Sequence, residues 1–147
     1  MKKPCILFVC TGNACCSQMA EGWARALAGD AVEVLSADVE AHGLNPRAVE
    51  AMREAGMDIS TQTSDVLTDA MLARADWVIT LCADADARCP VLPAHLKKLH
   101  WPFPDPAKAR GSDEEVMQAF RKVRDAIRDR VTAFLEDKGC FAARTAP

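Results

Sequence analysis

The chain has 147 residues and a formal net charge of -3, with half of its residues hydrophobic and 27% charged. This length suits one folded domain with its own core, and the composition is typical of a soluble globular protein. The small negative charge does not favour general binding to nucleic acid or membrane surfaces, and no apolar stretch reaches the ~20 residues of a membrane helix. The apolar run that follows the basic start is also too short for a signal peptide.

We therefore predict a single cytoplasmic domain over residues 1–147, with a frayed tail from about residue 140. Its seven cysteines are an odd number and cannot all pair within one molecule. Disulfides are also rare in the cytosol, so we interpret these residues as thiols rather than as a disulfide framework.

The first predicted element is a buried strand from Cys5 to Cys10, whose continuous apolar run is typical of a strand covered on both faces. A tight turn and a helix follow, and Ser17 can cap that helix. The free N–H groups of the turn and of the helix start predict a cradle for an oxyanion. Cys10 lies at its mouth, where these dipoles would favour the nucleophilic thiolate. The predicted anion-binding residues are Thr11, Gly12, Asn13, Ala14, Cys15, Cys16 and Ser17.

Further along the chain, predicted strands alternate with predicted helices. Strands are expected at 32–37, 77–82 and near 98–100, and helices after Asn45-Pro46, after Thr68-Asp69 and after the capping-box pair Ser112 and Glu115. This alternation predicts a parallel sheet with helices on both faces, and such sheets bind ligands outside the carboxyl ends of their strands. Cys10, Ser36 and Cys82 end predicted strands and Asp105 follows the fourth, which predicts one shared site.

Three separated motifs resemble those of the thioredoxin-coupled arsenate reductases, which are built on the low-molecular-weight tyrosine phosphatase fold. The motifs agree in residue type, order and spacing, and the resemblance extends from about residue 4 to the final helix. It implies a three-layer α/β sandwich whose four-stranded parallel sheet has the order 2-1-3-4. The matching residues are Cys10-Thr11-Gly12-Asn13 with Ser17-Gln18-Met19-Ala20-Glu21-Gly22, Leu81-Cys82 with Cys89-Pro90, and His100-Trp101 with Phe103 and Asp105-Pro106.

The resemblance implies that the chain reduces arsenate to arsenite, a step in arsenic detoxification. Cys10 would attack arsenic, Cys82 would attack the Cys10 sulfur and expel arsenite, and Cys89 would then attack Cys82. Thioredoxin would reduce the resulting disulfide, and Asp105 would protonate the leaving oxygen. Such exchange requires accessible sulfur atoms, so a mobile segment is expected from Cys82 to about residue 95. The chain is expected to be a monomer without a tightly bound cofactor.

One cation site is also implied by the resemblance. Asn13, Glu21, Ser36 and Asp65 match positions that bind potassium in some members of the family, and all four carry the oxygen donors that a hard cation prefers. The alternative is that Glu21 is an ordinary exposed helix residue and Asp65 an ordinary loop residue.

The chain departs from the family at position 16. The family's loop has an arginine six residues after the nucleophile, where this chain has Cys16. A thiol cannot supply the bidentate clamp or the positive charge of a guanidinium. Losing a charged hydrogen-bonding partner typically costs a few kcal/mol, so turnover is expected to fall by orders of magnitude. Arg47 or Arg88 could replace it in space, or Cys16 could join the relay or form a disulfide with Cys10.

Three alternatives remain open at this point. One is a small phosphatase, although Cys82 and Cys89 would have no role in its chemistry. Another is a non-catalytic thiol protein that binds arsenite or senses oxidants. The third is a zinc site formed by Cys82 and Cys89 with His95 and His100, although six residues between the cysteines exceed the usual short loop.

Overall fold

The protein is built around one four-stranded sheet. A computed structural model describes residues 3–10, 16–38, 45–62, 65–82 and 92–139. All neighbouring strands pair in parallel, in the order β2-β1-β3-β4, so the predicted sheet order is confirmed. The strands are β1 (Cys5–Cys10), β2 (Glu33–Asp38), β3 (Trp77–Thr80) and β4 (Lys97–His100).

Helices cover both faces of the sheet, as the alternating pattern predicts. Successive β1 residues point to opposite faces, with Ile6 and Phe8 in one apolar cluster and Leu7 and Val9 in the other. The first cluster includes α1, α2 and α4, and the second includes Leu72 of α3. The helices are α1 (Cys16–Ala28), α2 (Pro46–Glu54), α3 (Asp69–Arg74) and α4 (Asp113–Lys138), with 3-10 turns at Gly29–Ala31 and Pro106–Lys108.

The predicted helix ends are confirmed where local side chains define them. The Asn45 side chain accepts the Arg47 N–H ahead of α2 at 2.8 Å. Ser112 and Glu115 form a complete capping box at the start of α4. That helix ends at Gly139, whose φ of 67° lies in the left-handed region that glycine adopts without strain.

Helix α1 packs tightly against its neighbours. A Cβ atom at Gly22 would lie only 2.7 Å from Ile59 Cγ2 and 3.1 Å from Met52 Cε. On another side of the helix, the Trp23 indole N–H donates to the Arg124 carbonyl of α4 at 3.2 Å. Contacts with α2, Ile59 and α4 therefore hold α1 in position.

Three local predictions at the carboxyl edge of the sheet are wrong. Strand β3 ends at Thr80 rather than Cys82, because the apolar run continues into the buried Leu81 after regular pairing has ended. Strand β2 continues past Ser36, since it pairs with β1 in register as far as Cys10 opposite Asp38. Ser17 lies inside α1 rather than capping it, because the helix begins at Cys16.

Within the described part of the chain, no helix combines the length and apolar character that crossing a membrane would need. The tail from residue 140, which we predict to be frayed, lies outside the described residues.

Candidate active site

Three thiols meet at the carboxyl edge of the sheet. Cys10 is the last residue of β1, Cys16 is the first residue of α1, and Cys82 lies two residues beyond β3. The Sγ atoms of Cys10 and Cys82 are 4.0 Å apart, which is hydrogen-bonding distance for thiols. Cys16 is close enough to Cys10 to raise the pKa of its thiol. The fold therefore places two of the predicted relay cysteines together, with Cys16 as a third thiol beside them.

Exposure differs among these thiols. Cys10 is 8% exposed and Cys16 is 3% exposed, whereas Cys82 is partly exposed. Within the described part of the chain, none of the three forms a disulfide. A reagent or protein arriving from solvent therefore has better access to Cys82 than to the other two.

A buried carboxylate at this edge was not anticipated from the sequence. Asp38 ends β2 directly opposite Cys10 in the strand register and is 1% exposed. Its Oδ1 accepts a hydrogen bond from the Ser17 hydroxyl at 3.2 Å. The available signal was an acidic residue immediately after the apolar end of a strand that the pattern marks as buried. Asp38 thus places negative charge close to the proposed nucleophile.

The surroundings of Cys10 oppose its ionisation. The pKa of its thiol is raised to about 12, first by the hydrogen bond with Cys16, then by burial and by the charges at Cys16 and Asp38. The hydrogen bond with Cys82 acts in the opposite direction, but it does not outweigh them. The described surroundings of Cys10 therefore oppose the readily ionised thiol expected from the sequence, while the N–H groups of residues 11–15 on which that expectation rests lie outside the described residues.

Asp105 lies on the segment that leaves β4. The Trp101 N–H donates to the Thr80 carbonyl at 2.8 Å, and the Phe103 N–H donates to the Leu81 carbonyl at 3.2 Å. These bonds lead the chain past the carboxyl end of β3, and Asp105 follows two residues later, partly exposed. Asp105 therefore belongs to the predicted edge of the sheet, and its role as a general acid stays a prediction.

The fold places two of the four predicted potassium ligands together. The Ser36 hydroxyl donates to Glu21 Oε1 at 2.5 Å, and Arg25 Nε donates to Glu21 Oε2 at 2.8 Å. Arg25 also donates to the Val34 carbonyl at 2.9 Å, so a guanidinium already neutralises the buried Glu21 carboxylate. The Glu21 and Arg25 spacing of i and i+4 could have revealed this pair. Asp65 is an exposed residue whose backbone carbonyl accepts the Asp38 N–H at 2.8 Å.

Several predicted residues lie outside the described residues, and their roles stay predictions. They are Thr11, Gly12, Asn13, Ala14 and Cys15 of the anion loop, Cys89 of the relay, and Arg88. Most of the segment predicted to be mobile, residues 83–91, lies there too. Arg47, the other proposed substitute for the missing arginine, pairs with Asp113 at 3.1 Å.

The described residues do not support the zinc alternative. Nε2 of His95 lies 3.0 Å from the Ala75 carbonyl, before β4 begins, whereas Nδ1 of His100 lies 2.8 Å from the Thr80 hydroxyl at the end of that strand. The two histidines therefore lie at opposite ends of β4. Among the residues that the structure describes, no three His, Cys, Asp or Glu side chains form a group that could hold a metal ion.

Comparison with known proteins agrees with this architecture. The sequence model of the family described as low molecular weight phosphotyrosine protein phosphatase matches residues 5–139. The chain belongs to that family. An arsenate reductase from Bacillus licheniformis is 57% identical over 136 residues, which cover 92% of this chain and 98% of that protein. The resemblance expected from the sequence is therefore confirmed.

Solved structures in this family include reductases with the same fold. An arsenate reductase in the phosphate-binding state is 32% identical, with a TM-score of 0.72, over 91% of this chain and 98% of that one. A thioredoxin-dependent arsenate reductase from Corynebacterium glutamicum is 27% identical, with a TM-score of 0.70, over 92% of this chain and 63% of that one.

Proposed function

We propose that this chain reduces arsenate to arsenite by forming a disulfide between Cys10 and Cys82. The observation that carries this proposal is the 4.0 Å separation of the two Sγ atoms at the edge of the sheet where ligands bind. A phosphatase that transfers a phosphoryl group through one cysteine has no use for a second thiol at that distance. The names of the arsenate reductases similar to this chain support the same substrate.

The reaction begins when the Cys10 thiolate attacks arsenic. A bond forms between sulfur and arsenic, and one arsenate oxygen is protonated and leaves as water, the step for which Asp105 is the proposed acid. Cys82 then attacks Cys10 Sγ, so the disulfide forms as the sulfur–arsenic bond breaks. The electron pair stays with arsenic, which leaves as arsenite in the trivalent state. Two thiols thus supply the two electrons of the reduction.

Regeneration of the enzyme requires the disulfide to move outward. In our proposal the Cys89 thiolate attacks Cys82, which frees Cys10 and leaves a disulfide between Cys82 and Cys89 for thioredoxin to reduce. The thioredoxin dependence of the similar reductase from Corynebacterium glutamicum supports this choice of electron donor. A relay of thiols also requires a reducing compartment, which supports the proposal that the protein is cytoplasmic. We further propose that it acts as a monomer.

We expect this site to bind arsenate weakly. Backbone N–H groups of residues 11–17 are the proposed contacts to arsenate, and Cys16 takes the place of the charged clamp. With the pKa of Cys10 raised to about 12, only a small fraction of the thiol is ionised near neutral pH. We therefore propose a slow reductase rather than an efficient one.

The deciding experiment follows arsenate-dependent NADPH consumption with thioredoxin and thioredoxin reductase. We expect slow but repeated turnover by the native chain, and faster turnover after Cys16→Arg. Cys89→Ser should stop the reaction after one turnover, because Cys10 can no longer be released, whereas a phosphatase would be indifferent to that change. Absence of arsenite from both the native chain and Cys16→Arg would overturn the proposal and favour a non-catalytic thiol protein.

We also propose a weak potassium site at Asn13, Glu21, Ser36 and Asp65, of which the structure brings Glu21 and Ser36 together. The paired oxygens at 2.5 Å supply hard donors, as the chemistry of potassium requires. Arg25 competes with the ion for Glu21 Oε2. The described residues therefore fit an ion only in part, and no step of the reaction depends on it.

A further inference from the structure

Cys16 has no task in the relay described above, although it is next to the nucleophile. The residue after it, Ser17, donates to Asp38, which lies opposite Cys10 in the strand register, so Cys16 is held beside the end of β1. The Sγ atom of Cys82 lies 4.0 Å from that of Cys10. Cys10 and Cys16 are separated by only five residues along the chain. Among the described residues, Cys10 thus has two thiol neighbours on different elements of the fold, one at the start of α1 and one beyond β3.

We propose that Cys16 acts as a second resolving thiol that competes with Cys82 for the arsenic-bearing Cys10. This inference rests on the proposed arsenate reduction and adds a branch to it. The Cys16 thiolate attacks Cys10 Sγ, a disulfide between Cys10 and Cys16 forms, and the sulfur–arsenic bond breaks. Its electron pair remains on arsenic, which leaves as arsenite, so the two electrons and the products match those of the main path.

Proximity favours this branch. A short loop has a small entropic cost of closure, so the Cys16 sulfur is present at a high effective concentration around Cys10. The hydrogen bond from Ser17 to Asp38 holds the start of α1 beside the end of β1, and disulfide formation requires the two sulfur atoms to approach to about 2.05 Å. Cys16 reaches Cys10 from a helix that packing against α4 and residue Ile59 keeps in position.

Burial distinguishes the product of this branch from that of the main path. Cys10 and Cys16 are both buried, so a disulfide between them is shielded from a protein reductant. Cys82 can reopen it by attacking Cys10 Sγ, which releases the Cys16 thiolate and forms the disulfide of the main path. Cys82 would therefore be needed for repeated turnover but not for the first release of arsenite.

The test uses full-length Cys82→Ser/Cys89→Ser protein, mixed with one equivalent of arsenate in the absence of thioredoxin. We expect about one arsenite per chain and the loss of two alkylatable thiols, counted by intact mass after alkylation. Adding Cys16→Ala should abolish both signals. Adding Cys5→Ala instead should preserve them, since Cys5 is a buried thiol at the opposite end of the same strand. Thermal unfolding and circular dichroism would confirm that each variant is folded.

The outcomes separate this inference from the function on which it rests. Arsenite from the native chain but none from Cys82→Ser/Cys89→Ser would overturn the role of Cys16 and leave the proposed function intact. Two thiols lost in the variant that lacks Cys16 would also overturn it, because another cysteine would then be the partner. No arsenite from the native chain would overturn the proposed function together with this branch.

Discussion

Two buried carboxylates link α1 to β2 through hydrogen bonds from serine hydroxyls. In one pair the carboxylate belongs to α1, and in the other it belongs to β2. Ser36 of β2 donates to Glu21 of α1 at 2.5 Å, whereas Ser17 of α1 donates to Asp38 of β2 at 3.2 Å. Their additional neighbours differ in charge. Glu21 is paired with the Arg25 guanidinium, while Asp38 lies opposite the Cys10 thiol.

The comparison shows that the effect of a positive charge depends on which group it lies beside. At Glu21 the guanidinium neutralises a structural carboxylate. At Asp38 the adjacent group is a thiol, and the carboxylate charge helps to raise the pKa of that thiol. A cation beside Cys10 would favour its thiolate, but the first residue of α1 is Cys16, which carries a thiol.

The largest effect on the reactivity of Cys10 is expected when a cation is introduced beside Cys10 and Asp38. Cys16→Arg removes the main cause of the raised Cys10 pKa and adds an attractive charge, which typically lowers a pKa by about 1–3 units. The rate of Cys10 alkylation by iodoacetamide at pH 8 should therefore rise by about 10- to 1,000-fold. Cys16→Gln, which is polar but uncharged, is the matched control. Equal rates for the two variants would show that charge is not the cause.

The pH dependence of the native chain provides the reference for that experiment. Thiolate fraction increases about tenfold per pH unit below the pKa, so with a pKa of about 12 the alkylation rate of Cys10 should still be rising at pH 10. In Cys16→Arg the rise should level off at lower pH. A plateau near pH 8 in the native chain would contradict the raised pKa.

A smaller effect is expected when the negative charge is removed. Asp38→Asn keeps the side-chain shape but removes the carboxylate charge, which is the smallest of the causes that raise the Cys10 pKa. Alkylation at pH 8 should therefore accelerate by about 3- to 10-fold. Ser17→Ala serves as the comparison, because it deletes the hydrogen bond to Asp38 without removing the carboxylate. Slower alkylation in Asp38→Asn would show that the carboxylate assists ionisation instead.

The smallest effect is expected at the pair of Glu21 and Arg25, where the change is in the free energy of unfolding. The Arg25 side chain is about half exposed, so Arg25→Gln should lower the free energy of unfolding by only about 0.5–1 kcal/mol, measured by urea denaturation. If potassium binds at Glu21 and Ser36, then potassium chloride should restore part of this loss relative to N-methylglucamine chloride at equal ionic strength. Arg53→Gln breaks the exposed Arg53–Glu50 pair and is the control. An identical salt response in both variants would argue against the ion.

Much of the fold could be predicted because its signals are local. The continuous apolar run of β1, the Asn45-Pro46 helix start and the Ser112 capping box each depend on residues close in sequence, and each was confirmed. The order of the sheet came from family resemblance rather than from periodicity. That order explains why Cys10 and Cys82, which are 72 residues apart, lie next to each other.

The wrong predictions arose where a group interacts with residues that are distant in the sequence. Ser17 has the chemistry of a helix cap, but Asp38 of another element accepts its hydroxyl. The apolar run of β3 continues to Cys82, although Leu81 contributes to the core after the regular strand has ended. The raised pKa of Cys10 depends on Cys16 and Asp38 together, which no single stretch of sequence displays.

Gly22 has no reactive side chain, but the tight packing around it also constrains which residues the site can accept. Because a Cβ atom there would lie 2.7 Å from Ile59 Cγ2, even an alanine requires α1 or its neighbours to move. Close-packed interiors transmit such displacements, so Cys16 and Glu21 on the same helix would shift as well. Laboratory evolution of this protein for faster chemistry should therefore tolerate almost no substitution at position 22, although glycine contributes no group to the reaction.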